Sequence, residues 1–170
     1  MLHKETITPK NVWKVTDKLK SKKVKNVWFQ KTEIDSKSLR DIANIIMFSE
    51  TLETFDFEEM SVGDEGLLEI FAVVAKNKSL KEVNLSGTKF GPNGGRYVVK
   101  MLMENKTLKK LNLTNCGIEP VAINAIVQAL KFNKSLEDLN LSKNDFGNEP
   151  IRFIADMIQA NKSVKNLNIR

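Results

Sequence analysis

The sequence is poor in features that mark particular classes of protein. It has one cysteine, Cys116, and one histidine, His3, among 170 residues. A single cysteine cannot close a disulfide within the chain, which is typical of reducing compartments. No apolar run approaches the roughly 18 residues of a membrane-spanning helix, and the start "MLHKETITPK" lacks the apolar core of a secretory signal. We therefore expect a cytoplasmic protein.

Motifs for catalysis or cofactor binding are missing too. We find no nucleotide-binding loop, no metal-ligand spacing and no paired nucleophile and base. The stretch "GPNGG" at 91–95 lacks the Lys-Ser/Thr of a phosphate-binding loop. Because the one histidine lies far along the chain from Cys116, we interpret the cysteine as structural. The sequence predicts neither an enzyme nor a bound cofactor or metal.

The charge is unevenly distributed along the chain. The net charge is +6, yet residues 1–31 carry nine Lys against two acids, and residues 41–75 carry nine acids and no Lys or Arg. Of 27 basic residues 23 are Lys, and the basic part has only Trp13 and Trp28 as interleaved aromatics. Nucleic-acid readers favour Arg and aromatic residues. We expect no nucleic-acid partner, and we interpret the N-terminal lysines as a solvated face with no membrane role.

A pattern recurs every 28 residues. Apolar residues fill the first, fourth and sixth positions of units that begin at 24, 52, 80, 108, 136 and, for a partial sixth unit, 164. These beginnings read "VKNVWF", "LETFDF", "LKEVNL", "LKKLNL", "LEDLNL" and "VKNLNI". Each complete unit has a further apolar residue at its eleventh position. We predict a short strand at the start of every unit.

The second half of each unit has a helical period. Apolar residues at i, i+3, i+4 and i+7, such as Leu39, Ile42, Ala43 and Ile46, form one face of a helix. The positions at or near the predicted N-caps are Ser36, Asp64 and Asn148. Each unit is therefore predicted to be a strand, a turn and a helix.

A single unit of this kind cannot bury both its strand and its helix, so the units are predicted to stack. Strands sit about 4.8 Å apart and helices about 8 to 10 Å, so the stack bends with the sheet inside. This is an α/β solenoid with a parallel concave sheet and outer helices. Before it, Val12, Val15 and Leu19 follow Thr8 and Pro9 at helical spacing. We predict a capping helix region at 1–23, repeats at 24–170 and a single domain overall.

The units resemble a known family. The pattern L-x-x-L-x-L-x-x-N/C-x-L with a full helix per unit is similar to the leucine-rich repeats of the ribonuclease-inhibitor class, over residues 24–170. The resemblance implies a right-handed horseshoe arc that recognises protein partners on its concave sheet. Thr32, Met60 and Thr88 stand where the family has Asn or Cys at the ninth position. Met60 cannot donate a hydrogen bond, so we expect the second turn to be irregular.

Asparagine recurs at two repeat positions and creates seven apparent N-glycosylation sites. Four follow the helices, where we expect Asn to close the helix end in a left-handed conformation: Asn77, Asn105, Asn133 and Asn161. Three lie mid-strand on the concave side: Asn84, Asn112 and Asn140. At about 5 Å apart they are too close for glycans but suit an amide ladder. We predict that none of the seven is glycosylated.

The candidate binding surface follows from the alternation of side chains along a strand, which places the third, fifth and seventh positions on the concave face. Our candidate residues are Trp28, Gln30, Thr54, Asp56, Glu58, Glu82, Asn84, Ser86, Lys110, Asn112 and Thr114. Trp28 interrupts the Asn column, and Asp56 and Glu58 with Glu53 and Glu59 form an acidic patch that suits a basic partner. Alternatively, Trp28 only packs against the next strand or the cap.

The leading hypothesis is a non-catalytic protein-interaction module. The junction "ENKTL" at 104–108 resembles tropomodulin, which implies an actin-associated, cytoskeletal alternative. A third alternative is the repeat domain that regulates the GTPase Ran. The sequence ends within the sixth strand, at Ile169-Arg170, and an uncovered strand edge favours pairing, so a homodimer through that edge is a further possibility.

Overall fold

Strands and helices alternate through the chain. The computed structural model describes residues 2–3, 7, 10–21, 23–147 and 150–170, except for the side chains of residues 2, 3, 150 and 151. The strands are β1 (Leu2–His3), β2 (Asn26–Gln30), β3 (Thr54–Asp56), β4 (Glu82–Asn84), β5 (Lys110–Asn112), β6 (Asp138–Asn140) and β7 (Asn166–Asn168). The helices are α1 (Val12–Lys20), α2 (Ser36–Met47), α3 (Gly63–Lys76), α4 (Gly94–Glu104), α5 (Pro120–Leu130) and α6 (Pro150–Ala160). The predicted order of strand, turn and helix is confirmed.

The described strands form one parallel sheet in chain order. From β2 onward each residue pairs with its counterpart in the next unit, as Val27 with Phe55 and Phe55 with Val83. The period of the sequence is thus the register of the sheet. Beneath β2 and β3 the rings of Phe29, Phe55 and Phe57 pack with centroids 5.4 to 6.3 Å apart. The sheet lines the inside of the arc and the helices lie outside, as predicted.

The predicted helix stripe is buried in the central units and less so at the last helix. Ile42, Ile70 and Ile126 are at most 1% exposed. In α6 the stripe residue Ile158 is 60% exposed. In α4 the first stripe position is Gly95, where an added Cβ would lie 2.4 Å from the Cβ of Ala122 on α5. The glycine therefore allows the backbone of α4 to approach α5 closely.

The N-terminal region contains more than a helix. Leu2 pairs with Phe29, and Ile7 forms a parallel bridge with Ile34, so both pairs are one residue closer in sequence than the repeat period. The buried residues of α1 are Val12, Val15, Thr16 and Leu19. Each lies the same shortened spacing before a buried residue of α2, as Val12 does before Leu39. The described parts of 1–23 thus resemble a shortened repeat. Residues 8–9, where we placed the start of the capping helix, lie outside the described residues.

Ser36, which we predicted to lie at or near an N-cap, is the residue directly after it. The N-cap of α2 is Asp35, not Ser36, and its carboxylate accepts from two backbone N–H groups at 3.0 Å each. Aspartate satisfies N–H groups that have no partner in the first turn of a helix. Asp64 lies in the first turn of α3, near the predicted cap. Asn148 is outside the described residues.

The prediction of an irregular second turn is wrong. The eighth position has a left-handed backbone, with φ from 51 to 73°, in all five complete units, at Lys31, Glu59, Gly87, Asn115 and Lys143. At the ninth position of the third unit, the hydroxyl of Thr88 donates a hydrogen bond to the carbonyl of Phe57 at 2.8 Å. Met60 cannot donate, but its sulfur accepts from the N–H of Thr32 at 3.3 Å. The turn keeps its shape because Met60 retains one of the two bonds made at this position: Thr88 likewise accepts from the N–H of the ninth-position residue of the unit before it, Met60, at 3.1 Å.

The asparagines that follow the helices do not adopt the left-handed conformation we expected. Asn77 and Asn105 are extended, with φ of −65° and −73°. Asn105 is 2% exposed, and its Nδ2 donates to the carbonyl of Val74 in the preceding unit at 2.6 Å. Its Oδ1 accepts from the N–H groups of Thr107 and Leu108 at 2.8 and 2.7 Å. We call this arrangement the Asn clamp; it recurs at Asn77, Asn133 and Asn161.

Candidate functional site

The concave face of the sheet forms a groove of about 770 Å³. Seven of the eleven predicted residues line it: Trp28, Thr54, Asp56, Glu82, Asn84, Lys110 and Asn112. The four predicted residues at the seventh position of a unit, at or just after the carboxyl ends of the strands, do not line it: Gln30, Glu58, Ser86 and Thr114. The groove continues along residues that we had left out of the candidate surface: Asp138, Asn140, Lys165, Asn166 and Asn168. The repeat period itself was the signal that could have extended the prediction to β6 and β7.

Trp28 stands at the N-terminal end of the groove. Its side chain is 40% exposed, and it also lines a smaller cavity of about 210 Å³ with Val15 and Leu19 of α1. Its Cα pairs with that of Asp56 on β3. Trp28 therefore both lies beside the N-terminal region and has part of its ring exposed to the groove, and its role in binding stays a prediction.

The predicted acidic patch is smaller in charge than its sequence indicates. Glu53 lies 2.9 Å from Nζ of Lys25, and Glu59 lies 3.3 Å from Nζ of Lys31. Asp56 has no cationic partner among the described residues; its Oδ2 accepts from Nδ2 of Asn84 at 3.0 Å.

Glu58 is held by neutral groups. Its two carboxylate oxygens accept from Gln30 and from the hydroxyl of Ser86, both at 3.2 Å. Like Asp56, Glu58 has no ion pair among the described residues. The uncompensated negative charge of this region therefore rests on these two carboxylates.

The concave asparagines do not form the amide ladder that we expected. The Oδ1 atoms of Asn84, Asn112 and Asn140 each accept from the backbone N–H two residues later, at 3.0 to 3.1 Å. Such local turns are the common use of Asn next to a strand end. In the described chain no bond joins two of these side chains, since each Oδ1 is directed to its own strand. Their Nδ2 groups in β5 and β6 are thus left facing the groove.

A row of alternating charges runs beside the asparagines. Nζ of Lys110 lies 2.8 Å from Glu82 across β4 and β5. Glu137 contacts both Lys109, at 2.8 Å, and Lys165. Hydrogen bonds from these two lysines, Lys109 foremost, lower the pKa of Glu137 to about 2. The lysines and glutamates at this end are paired with one another, and of them Glu82, Lys110 and Lys165 line the groove, in contrast to Asp56 at the Trp28 end, which has no cationic partner among the described residues.

Cys116 has the structural role that we predicted. Its side chain is fully buried, and Sγ lies 3.2 Å from the carbonyl oxygen of Leu85 in the preceding unit. Burial raises the pKa of the thiol to about 12. A thiol of this kind is a poor nucleophile at neutral pH because the thiolate is the reactive form.

Helices in the described parts of the chain are all too short or too polar to cross a bilayer.

Three comparisons with known proteins bear on this arrangement. The family model described as "Leucine Rich repeat" matches residues 76–99, 104–127 and 132–155, at successive steps of one repeat period. A search of curated proteins gives no significant match.

Among solved structures, leiomodin-1 actin-binding site 2 superposes with a TM-score of 0.71 at 19% identity, covering 91% of this chain and 89% of that one. The tropomodulin C-terminal domain of Caenorhabditis elegans superposes with a TM-score of 0.64 at 14% identity, covering 88% of this chain and 92% of that one. At these identities the likeness concerns the fold. The family model and the register of the sheet therefore show leucine-rich repeats within residues 76–155, and the superpositions show that the chain has the fold of a leucine-rich repeat solenoid.

Proposed function

We propose that this chain is a non-catalytic recognition module that binds a protein through the N-terminal half of its concave groove. The observation that carries the proposal is the pairing of Trp28, 40% exposed in the groove, with Asp56, a carboxylate without a cationic partner among the described residues. Leucine-rich repeats are commonly extended binding surfaces, which supports the choice of the concave face.

The two residues have complementary roles in the proposal. Tryptophan is enriched among residues that dominate binding energy, because it combines a large apolar area with low conformational entropy. Asp56 would attract a Lys or Arg of the partner and set its orientation. Glu53 and Glu59 already have lysine partners and contribute less. The partner is therefore expected to present a cation next to an apolar side chain.

Affinity purification with mass spectrometry tests this proposal. Wild type is compared with Trp28→Ala and Asp56→Asn, and with the matched controls Trp13→Ala and Asp41→Asn, whose side chains are exposed on the helical side. The Asp56→Asn variant keeps an oxygen that can accept the N–H of Glu58. A genuine partner is lost with both groove variants and retained with both controls.

Binding of that partner, once purified, should weaken by about 2 kcal/mol, or about 30-fold, in Trp28→Ala. It should also weaken as salt is raised, because the Asp56 interaction is partly exposed. Equal affinity of Trp28→Ala and wild type would exclude this site.

Actin is a second candidate partner, because a structural neighbour described as an actin-binding site superposes along nearly the whole chain. Co-sedimentation with filamentous actin, together with the elongation rate of pyrene-labelled filaments, tests it. No pelleting and no change in elongation would dismiss this candidate. The regulation of a small GTPase stays a prediction, with no residue assigned to it.

Self-association is part of the proposal as well. β7 is the last strand of the described sheet, and Ile158 on α6 is 60% exposed although its counterparts Ile46 and Leu102 are at most 1% exposed. Two chains pairing through this end would cover Ile158. Sedimentation should then show a dimer that Ile158→Lys dissociates, and a strict monomer at high concentration would reject it.

A further inference from the structure

A second surface lies where the helices end and the strands begin. Phe48, just after α2, is 80% exposed. It borders two grooves. One, of about 580 Å³, is shared with Lys76 and Lys78 of the next unit, and the other, of about 300 Å³, is shared with Leu19 and Lys20 of α1.

The repeat pattern fails at this place. The residue after Phe48 is Ser49, where the four later units have the Asn clamp. The hydroxyl of Ser49 accepts from the N–H of Leu52 at 3.2 Å, as the clamp oxygen does elsewhere. Asparagine has a separate amide donor for the preceding helix, whereas no bond from the Ser49 hydroxyl to α1 is found among the described residues. In contrast, Asn77 reaches back to the carbonyl of Ile46 at 2.7 Å. The end of α2 is thus not tied to α1 in this way, and the smaller groove lies between them.

The grooves carry positive charge. Their lining includes three lysines and one acid, Glu50. The side chains of Lys76 and Lys78 make no ion pair or hydrogen bond among the described residues, and that of Lys20 has only an exposed contact with Asp17 at 3.8 Å.

Two of the three corresponding lysines of later units have a structural role, and the third, Lys162, makes no such contact among the described residues. Nζ of Lys106 and Lys134 donates to a carbonyl at the end of the preceding helix, at 2.7 and 2.9 Å. Such contacts complement the helix dipole. Lys78 makes no such contact among the described residues, so its charge is available to a partner.

We propose that the grooves flanking Phe48 dock an acidic segment of a protein partner, which places an apolar side chain against Phe48 and its carboxylates near Lys20, Lys76 and Lys78. Charge complementarity selects the acidic character, and the two grooves beside an exposed aromatic ring select a side chain that inserts. The site is separate from the concave groove and does not depend on the function proposed for it.

A phage-displayed library of random 12-residue peptides tests the proposal, with counter-selection on Phe48→Ser. The matched control is Phe132→Ser, at the same repeat position and 65% exposed. Selected peptides should combine Asp or Glu with an aromatic residue or leucine. Synthetic versions should bind Phe48→Ser and the double variant Lys76→Glu/Lys78→Glu at least tenfold more weakly than wild type, and should bind Phe132→Ser and Trp28→Ala as wild type does.

Three outcomes would overturn the proposal. The first is selection of peptides that are neutral or basic, or of none that distinguish Phe48→Ser from wild type. The second is equal weakening by Phe48→Ser and Phe132→Ser, which would indicate general hydrophobic contact. The third is Phe48-dependent binding to phosphatidylserine vesicles without peptide binding, which would assign the surface to a membrane. Circular dichroism of each variant checks that the fold is intact.

Discussion

The Asn clamp gives a stability prediction that the structure makes quantitative. In Asn105→Ala, three buried or half-buried backbone groups lose their partner: the carbonyl of Val74 and the N–H groups of Thr107 and Leu108. A buried polar group without a partner costs about 1 to 3 kcal/mol. We therefore expect Asn105→Ala to lower the free energy of unfolding by about 3 kcal/mol or more.

Asn112 is a matched control seven residues away. It too accepts a backbone N–H, that of Thr114 at 3.1 Å, but it is half-buried in an open groove where water can replace the side chain. Asn112→Ala should lower the free energy of unfolding by about 1 kcal/mol or less. Both asparagines belong to apparent glycosylation sites, so the pair separates a clamp residue from a concave one within the same stretch of sequence.

Urea unfolding followed by circular dichroism measures both changes. The denaturation midpoint should fall far more for Asn105→Ala than for Asn112→Ala. Repeat proteins can unfold in more than one step, so the slope of the transition must be equal in the variants before free energies are compared. If the two variants lose equal stability, the clamp does not carry the interaction between units and our interpretation of the repeat is wrong.

Three further predictions concern single sites. Gly95→Ala should destabilise the protein by about 1 to 3 kcal/mol in the same urea assay, because the new Cβ meets α5 at 2.4 Å. Native Cys116 should resist iodoacetamide at pH 8 and react only after unfolding, since burial raises its pKa to about 12. Glu137, whose pKa is lowered to about 2, contributes stability above its unfolded pKa near 4.5 that is lost as pH falls toward 2. Glu137→Gln should therefore be less stable than wild type at pH 7, and the difference should shrink as pH falls toward 2, where the carboxyl is half protonated.

The repeat made most of the fold predictable. A constant period fixes which strands are neighbours and in which register, so the pairing of Val27 with Phe55 follows from the spacing alone. The N-terminal region was harder, because its unit is one residue shorter than the others and its strand, Leu2–His3, has no complete motif. The apolar stripe that includes Val12 and Val15 matches the stripe of α2 at this shortened spacing. A comparison of the two stripes could have revealed the shortened unit.

Side-chain roles were less predictable than positions. The sequence correctly placed Asn105 after a helix. An asparagine there can either adopt a left-handed backbone or bond through its side chain to the preceding unit, and only the position of that unit decides between the two. Likewise, Glu53 and Glu59 looked like free acids until the lysines of the preceding unit were placed beside them. Contacts between units depend on how one unit lies against the next, which local patterns do not specify.

The departures from the repeat are concentrated in its first two units. Trp28 and Asp56 break the Asn column of the groove, and Ser49 replaces a clamp residue beside Phe48. The exposed ring of Trp28 and the carboxylate of Asp56 have no counterpart in the Asn column of the later units, and Ser49 lacks the bond to the preceding helix that Asn77 makes. The fold is maintained by residues that repeat from unit to unit, so a residue that departs from the repeat is selected for another reason. Binding is one such reason, and it favours exposed aromatic rings and uncompensated charge. The N-terminal half therefore carries both candidate surfaces, one on each side of the same two units, so one partner contacting both would meet Asp56 with a cation and Lys78 with an acid.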